Sequence, residues 1–108
     1  MSKVYISGKI TGNENYKRQF EKREKELKSL GYYPINPVKI YEHLKVCLGR
    51  EPSRDEIMAE DIRKLKQCDY INHLPNWEDS EGAREEHRVA VENNITILQV
   101  QMLSHGWN

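Results

Sequence analysis

The stretch KVYISGKITG at residues 3–12 decides the fold. Lys3-Val4-Tyr5-Ile6-Ser7 is a short apolar run that reads as a first strand. Gly8-Lys9-Ile10-Thr11-Gly12 reads as the loop that leaves this strand and opens a helix. The loop is neither GxGxxG nor a Walker A sequence, because Lys9 is followed by Ile10. Taken alone it is either a plain βα turn or a place where backbone comes close to a ligand.

Working outward, a helical pattern runs from about Asn13 to Leu30, with Tyr16, Phe20, Leu27 and Leu30 at helical spacings and charges between them. Gly31 closes it as a C′ residue. YYPIN at 32–36 predicts a second strand, placed at an edge by Pro34. Residues 38–50 predict a helix with Ile40, Leu44 and Cys47 on one side. Ser53 and Glu56 form a capping box that starts the next helix, which runs to about Gln67. DYINHL at 69–74 is a third strand, and Pro75–Asp79 a loop. A helix from Ser80 to Asn93 follows, then the strand NITILQV at 94–100 and a short tail carrying Trp107. Alternating strands and helices predict βαβ units, a parallel sheet and helices on both faces. In such sheets ligands bind beyond the carboxyl ends of the strands. The loops there are residues 7–12, 36–38, 75–80 and 100 onward.

The 108 residues include 17 Lys+Arg and 17 Asp+Glu, so formal net charge is zero. That length predicts one domain, residues 1–108. With 37% apolar residues the core is limited and calls for tight packing or a partner subunit. Balanced charge argues against disorder and against a strongly basic nucleic-acid binder. No stretch approaches the ~18 apolar residues of a membrane-spanning helix, so no membrane partner is expected. The apolar run in residues 1–7 is too short for a signal peptide. Cys47 and Cys68 show no metal or redox spacing, which predicts an intracellular, cytoplasmic chain with free thiols. The four His are scattered, with no HxxxH or Cys/His pair, so no metal site is expected.

Two helices carry a carboxylate where a core residue belongs. With Ile57 at zero and about 100° per residue, Asp61 falls near ~40°, Leu65 near ~80° and Ile62 near ~140°. Asp61 lies inside the apolar arc, while Glu60 and Lys64 point elsewhere. With Ala83 at zero, Glu86 falls near ~300°, Ala90 near ~340°, His87 near ~40° and Val91 near ~80°. Glu86 is again inside the apolar arc, while Glu85 joins Glu81, Arg84, Arg88 and Glu92 on the wet side. Either carboxylate could sit at a helix margin and snorkel or pair with Lys or Arg. Two of them in neighbouring helices point instead to a pair across a pocket, as glycosidic bond cleavage requires. Gly82, one turn before Glu86, would leave room there for a ring. Ser80 opens this helix, as an N-cap or as part of an anion site.

YISGKITG at 5–12, AEDIRKLKQCD at 59–69 and WEDSEGAREEHRVA at 77–90 resemble the nucleoside 2-deoxyribosyltransferase-like superfamily. They are most similar to its small, often phage- or prophage-encoded members of unknown function. The resemblance covers about residues 2–100. It implies an α/β, flavodoxin-like three-layer sandwich with a four- to five-stranded parallel sheet. It implies N-glycosidic cleavage or transfer on a (deoxy)nucleoside or nucleoside 5′-monophosphate, with no cofactor. Glu86 matches the glutamate that attacks C1′ to give a covalent glycosyl-enzyme. Asp61 matches the aspartate that exchanges a proton with the base, and Tyr5 the tyrosine that orients the glutamate. Gly8 matches the glycine beside the sugar. Ser80 stands where the transferases have a base-binding aspartate and the monophosphate hydrolases a phosphate-binding serine. Lys9 and Thr11, flanking Ile10, replace the serine and arginine by which those hydrolases hold phosphate. Lys9 offers a point charge but no bidentate fork. Trp77 suits stacking on a base and equally suits a hydrophobic plug. Related enzymes are dimers or larger and complete their pockets with a neighbour's C-terminal residues, which implies a homo-oligomer and a role for the Met102–Trp107 tail. Two other readings use the same residues: a nucleotide-binding or sequestering module without turnover, and a glycohydrolase acting on NAD.

Overall fold

A computed structural model describes residues 1–100 of the protein. The Met102–Trp107 tail lies outside the described residues. Four parallel strands form one sheet: β1 (Lys3–Ser7), β2 (Tyr33–Ile35), β3 (Tyr70–His73) and β4 (Thr96–Ile97). Their order is β2-β1-β3-β4. The helices between them are α1 (Tyr16–Ser29), α2 (Pro37–Leu48), α3 (Arg54–Leu65) and α4 (Glu81–Glu92), with a 3-10 turn at Trp77–Asp79. This is a flavodoxin-like α/β sandwich.

β1 reads as an uninterrupted buried run because it is central and covered on both faces. Val4 and Ile6 point to one layer, where they meet Phe20 and Leu27 of α1. Tyr5 points to the other, where Ile40, Leu65, Val89 and Ala90 come from α2, α3 and α4. One helix therefore covers one face and three cover the other. β2 is an edge strand, which is why Pro34 costs no sheet hydrogen bond on its outer side.

The helix boundaries follow local chemistry. The Gly31 N–H donates to the Lys28 carbonyl at 3.0 Å and the Tyr32 N–H to the Leu27 carbonyl at 3.0 Å, a Schellman closure with Gly31 at φ +90°. Asn36 caps α2 by accepting the Val38 N–H at 2.9 Å, with Pro37 in the first turn. The Ser53–Glu56 capping box is present in both directions.

Several expectations are corrected. Leu30 is 41% exposed because it is the C-cap, where the helical periodicity has already ended. Cys47 is exposed and Leu44 half-buried, since only the first turns of α2 reach the sheet. Val91 is 56% exposed in the last turn of α4, outside the Ala83, Glu86, Val89 and Ala90 face that is buried. β4 has two residues rather than seven. His43 and Cys47, one helical turn apart, do form a Cys/His contact, Sγ to Nε2 at 3.4 Å. Both cysteines are free thiols. Among the described residues, no helix is long and apolar enough to cross a membrane.

Candidate active site

The strand order reverses direction between β1 and β3, and a cavity of about 420 Å³ opens beyond the carboxyl end of β1. Carboxyl groups from α3 and α4 line it, and two buried hydroxyls of β1 stand behind one of them. Tyr5 and Ser7 are two apart on β1 and so face the same side, toward α4. The Tyr5 hydroxyl donates to Glu86 Oε2 at 2.7 Å. The Ser7 hydroxyl donates to Glu86 Oε1 at 2.7 Å. Glu86 is 5% exposed and lines the cavity. Asp61 of α3 lines the same cavity, also 5% exposed.

Burial pushes the Glu86 carboxyl up to about 7, against the two hydroxyls, which favour its charged form. Burial pushes Asp61 up further, to about 8, reinforced by the charges of Glu86 and Glu60. The geometry agrees with this order. Glu86 accepts two hydroxyl donors, whereas Asp61 Oδ1 is buried without a hydrogen-bond partner among the described residues. Of the two, Asp61 is the one that burial and its surroundings favour in the protonated form. Burial and both carboxylate charges hold the Tyr5 phenol well above its ordinary pKa, so it remains a donor. The site thus presents two buried carboxyl groups on one cavity, one anchored by hydroxyls and the other more readily protonated.

Other predicted residues fall in different places. Gly8, Ile10, Ser80 and Gly82 line the cavity. The Ser80 hydroxyl also caps α4, accepting the Ala83 N–H at 3.1 Å. A Cβ at Gly8 would lie 2.8 Å from Leu74 Cδ1 and 2.9 Å from Leu74 Cβ, so packing alone demands glycine there. At Gly82 a Cβ would come 3.3 Å from the flexible end of Met58, a tighter but yielding contact. Lys9 is not among the residues around the cavity, and its carbonyl accepts from Asn13 Nδ2 at 2.9 Å.

The structure does not bring Trp77 to the carboxylates. Asn76 turns the chain at φ +67°, and the indole packs on His73 and His87 with ring centroids 4.2 and 4.7 Å away. The three rings border a separate cavity of about 460 Å³. Burial, then the neighbouring His87, pulls His73 down to about 4.

Two kinds of residue escaped the sequence reading. Ser7 had a signal, a polar residue on the Tyr5 face of an apolar strand. Lys17 and Arg54 had none, since each is an ordinary surface charge in sequence, yet both line the cavity. Arg54 joins the starts of α3 and α4 through Glu81 at 2.6 Å. Aromatic and aliphatic side chains, Tyr16, Phe20, Val38 and Tyr41, line the cavity as well. Apolar side chains together with polar groups suit a planar ring joined to a polar moiety.

Residues 2–99 match a family model described as a domain of unknown function (DUF4406), and the chain belongs to that family. No curated protein matches the chain.

Proposed function

We propose that the protein cleaves or transfers the N-glycosidic bond of a (deoxy)nucleoside or nucleoside 5′-monophosphate, as the resemblance to the nucleoside 2-deoxyribosyltransferase-like superfamily implies. The observation that carries this reading is the unequal carboxyl pair on one cavity, one anchored by two hydroxyls, the other buried with an oxygen that has no partner among the described residues. In this reading a Glu86 oxygen attacks C1′ as the C1′–N bond breaks. The bonding pair leaves on the base nitrogen, which takes the proton from Asp61. The glycosyl ester on Glu86 then passes to water or to a second base. When water attacks, its proton goes to Asp61 and Glu86 is released as carboxylate, restoring the starting state. Ser80, Lys17 and Arg54 supply the polar and cationic groups for a phosphate at the mouth, in place of the loop arginine that Thr11 lacks.

Base release from a panel of nucleosides and nucleotides tests the reading. Wild type should release base, and Glu86→Ala should lose at least ~10³-fold in rate, as removal of a covalent nucleophile does. Turnover unchanged in Glu86→Ala, or absent from wild type on every substrate, overturns it. The small core further supports a homo-oligomer as the working unit. Sedimentation at micromolar concentration should show a dimer or larger species; a fully active monomer would count against it.

A further inference from the structure

Ser7 has no role in the reading above. It is completely buried at the end of the central strand, where an aliphatic side chain would suit the sheet. We propose that Ser7 is a second positioning residue for the nucleophile, holding the Glu86 carboxylate in one plane and in its ionised form from the oxygen opposite to the one Tyr5 holds. The proposal rests on Glu86 being the nucleophile.

A glutamate side chain turns easily about its last bond, where the torsional preference is broad and two-fold. One hydrogen bond anchors one oxygen and leaves the carboxylate free to swing about it. Two donors on two different oxygens remove that freedom. Tyr5 holds Oε2 and Ser7 holds Oε1, each at 2.7 Å. The two donors start about 6.6 Å apart along β1, at ~3.3 Å per residue, and converge because the tyrosine side chain is the longer.

The anchor is itself rigid. Ser7 pairs with His73 of β3, and its carbonyl accepts the Leu74 N–H at 2.8 Å. A hydroxyl mounted on a central strand is placed more firmly than one on a loop. Both bonds also run in the same sense, hydroxyl to carboxylate. That pattern suits the charged form of Glu86, because an ionised carboxylate is the stronger acceptor on both oxygens. Hydrogen bonds to the ionised group oppose the rise that burial imposes on Glu86, and Ser7 is a larger contributor than Tyr5.

In the covalent step one Glu86 oxygen forms a bond to C1′ while the other becomes the ester carbonyl and keeps its donor. When the ester breaks, charge returns to the carboxylate and both hydroxyl bonds strengthen. Ser7 therefore acts on the carboxylate before it attacks and again when it re-forms.

The test compares wild type with Ser7→Ala, Ser7→Cys and Tyr5→Phe. The Glu86 carboxyl is followed by NMR on ¹³C-labelled protein without ligand. Ser7→Ala should raise its titration midpoint by about one pH unit, and Ser7→Cys, a weaker donor of similar size, by less. The acid limb of the kcat/KM profile for base release should move by the same amount. The value of kcat should fall ~10- to 100-fold, with KM changed less than about threefold. A residue that only fills space would alter the Tm and leave both the midpoint and the acid limb in place. That result overturns the proposal. If Ser7→Ala does not fold, an unshifted midpoint in Ser7→Cys overturns it equally. If wild type releases no base, the nucleophile reading fails, and the titration still decides whether Ser7 governs Glu86.

Discussion

Asp61 and Glu86 are buried acids, and their burial has a pH signature. A carboxyl whose pKa is raised by folding holds its proton more tightly in the native state. Its contribution is complete below the unfolded value and is lost as pH rises through the folded one. For Asp61 that window runs from 3.8 to about 8. Urea unfolding of wild type should therefore show stability falling across it. Asp61→Asn should remove much of the slope and be more stable than wild type at pH 9, by the order of 1–3 kcal/mol. A variant no more stable at pH 9 would show that Asp61 is not held neutral. Both acids were legible in sequence, because a helix repeats every 3.6 residues and an acid inside the apolar arc stands out. Trp77 was placed by a backbone reversal at Asn76, a local conformation that helical or strand periodicity does not encode.

Ser80 shows how one side chain serves both an element and a site. Its hydroxyl caps α4, and its position lines the cavity. Aspartate caps a helix as well as serine does, and negative charge at a helix N-terminus is favourable. Ser80→Asp should keep thermal stability within about 0.5 kcal/mol and weaken binding of a nucleoside monophosphate more than that of the nucleoside. Equal weakening of the two, read by titration calorimetry, would remove Ser80 from any phosphate contact. Gly8 is tied to its element in another way. Gly8→Ala should cost roughly 1–3 kcal/mol through overpacking against Leu74. Shortening Leu74 to Ala should give no rescue, because the Leu74 Cβ itself is only 2.9 Å away. The caps at Ser53 and Gly31 were readable because they depend on side chains a few residues apart. The extents of β4 and α2 were not, because they depend on where neighbouring strands and the sheet edge lie.

Across the whole molecule, Glu24 joins α1 to the start of α2 around the β2 edge. It is 6% exposed and accepts from Lys39 Nζ at 2.7 Å and Asn36 Nδ2 at 3.3 Å. Burial alone would raise its pKa, but the Lys39 and Asn36 bonds and the Lys39 and Lys28 charges hold it below the ordinary value. Its contribution is thus present above the usual carboxylate range and lost as pH falls through it. Glu24→Gln should cost about 1–2 kcal/mol at pH 7 and little at pH 3, measured by denaturant midpoints. The sequence announced the alternation of strands and helices, and with it the parallel sheet. It did not show that three helices would share one face, because that depends on which crossovers pass which side of β1.

The central place of β1 also bears on the order in which the molecule comes apart. Its amides are locked between β2 and β3, whereas α2 ends exposed and β4 pairs on one side only. In native-state hydrogen exchange, Tyr5 and Ile6 should be among the last amides to be replaced, at close to the free energy of global unfolding. The carboxyl-terminal half of α2 and the β4 edge should exchange at far lower cost. The hydroxyls that hold Glu86 then sit on the slowest-opening strand of the protein, and the cavity residues Val38 and Tyr41 sit in the first turns of α2, ahead of its faster-exchanging end. Fraying of that end would therefore leave both the Glu86 carboxylate and the cavity wall in place.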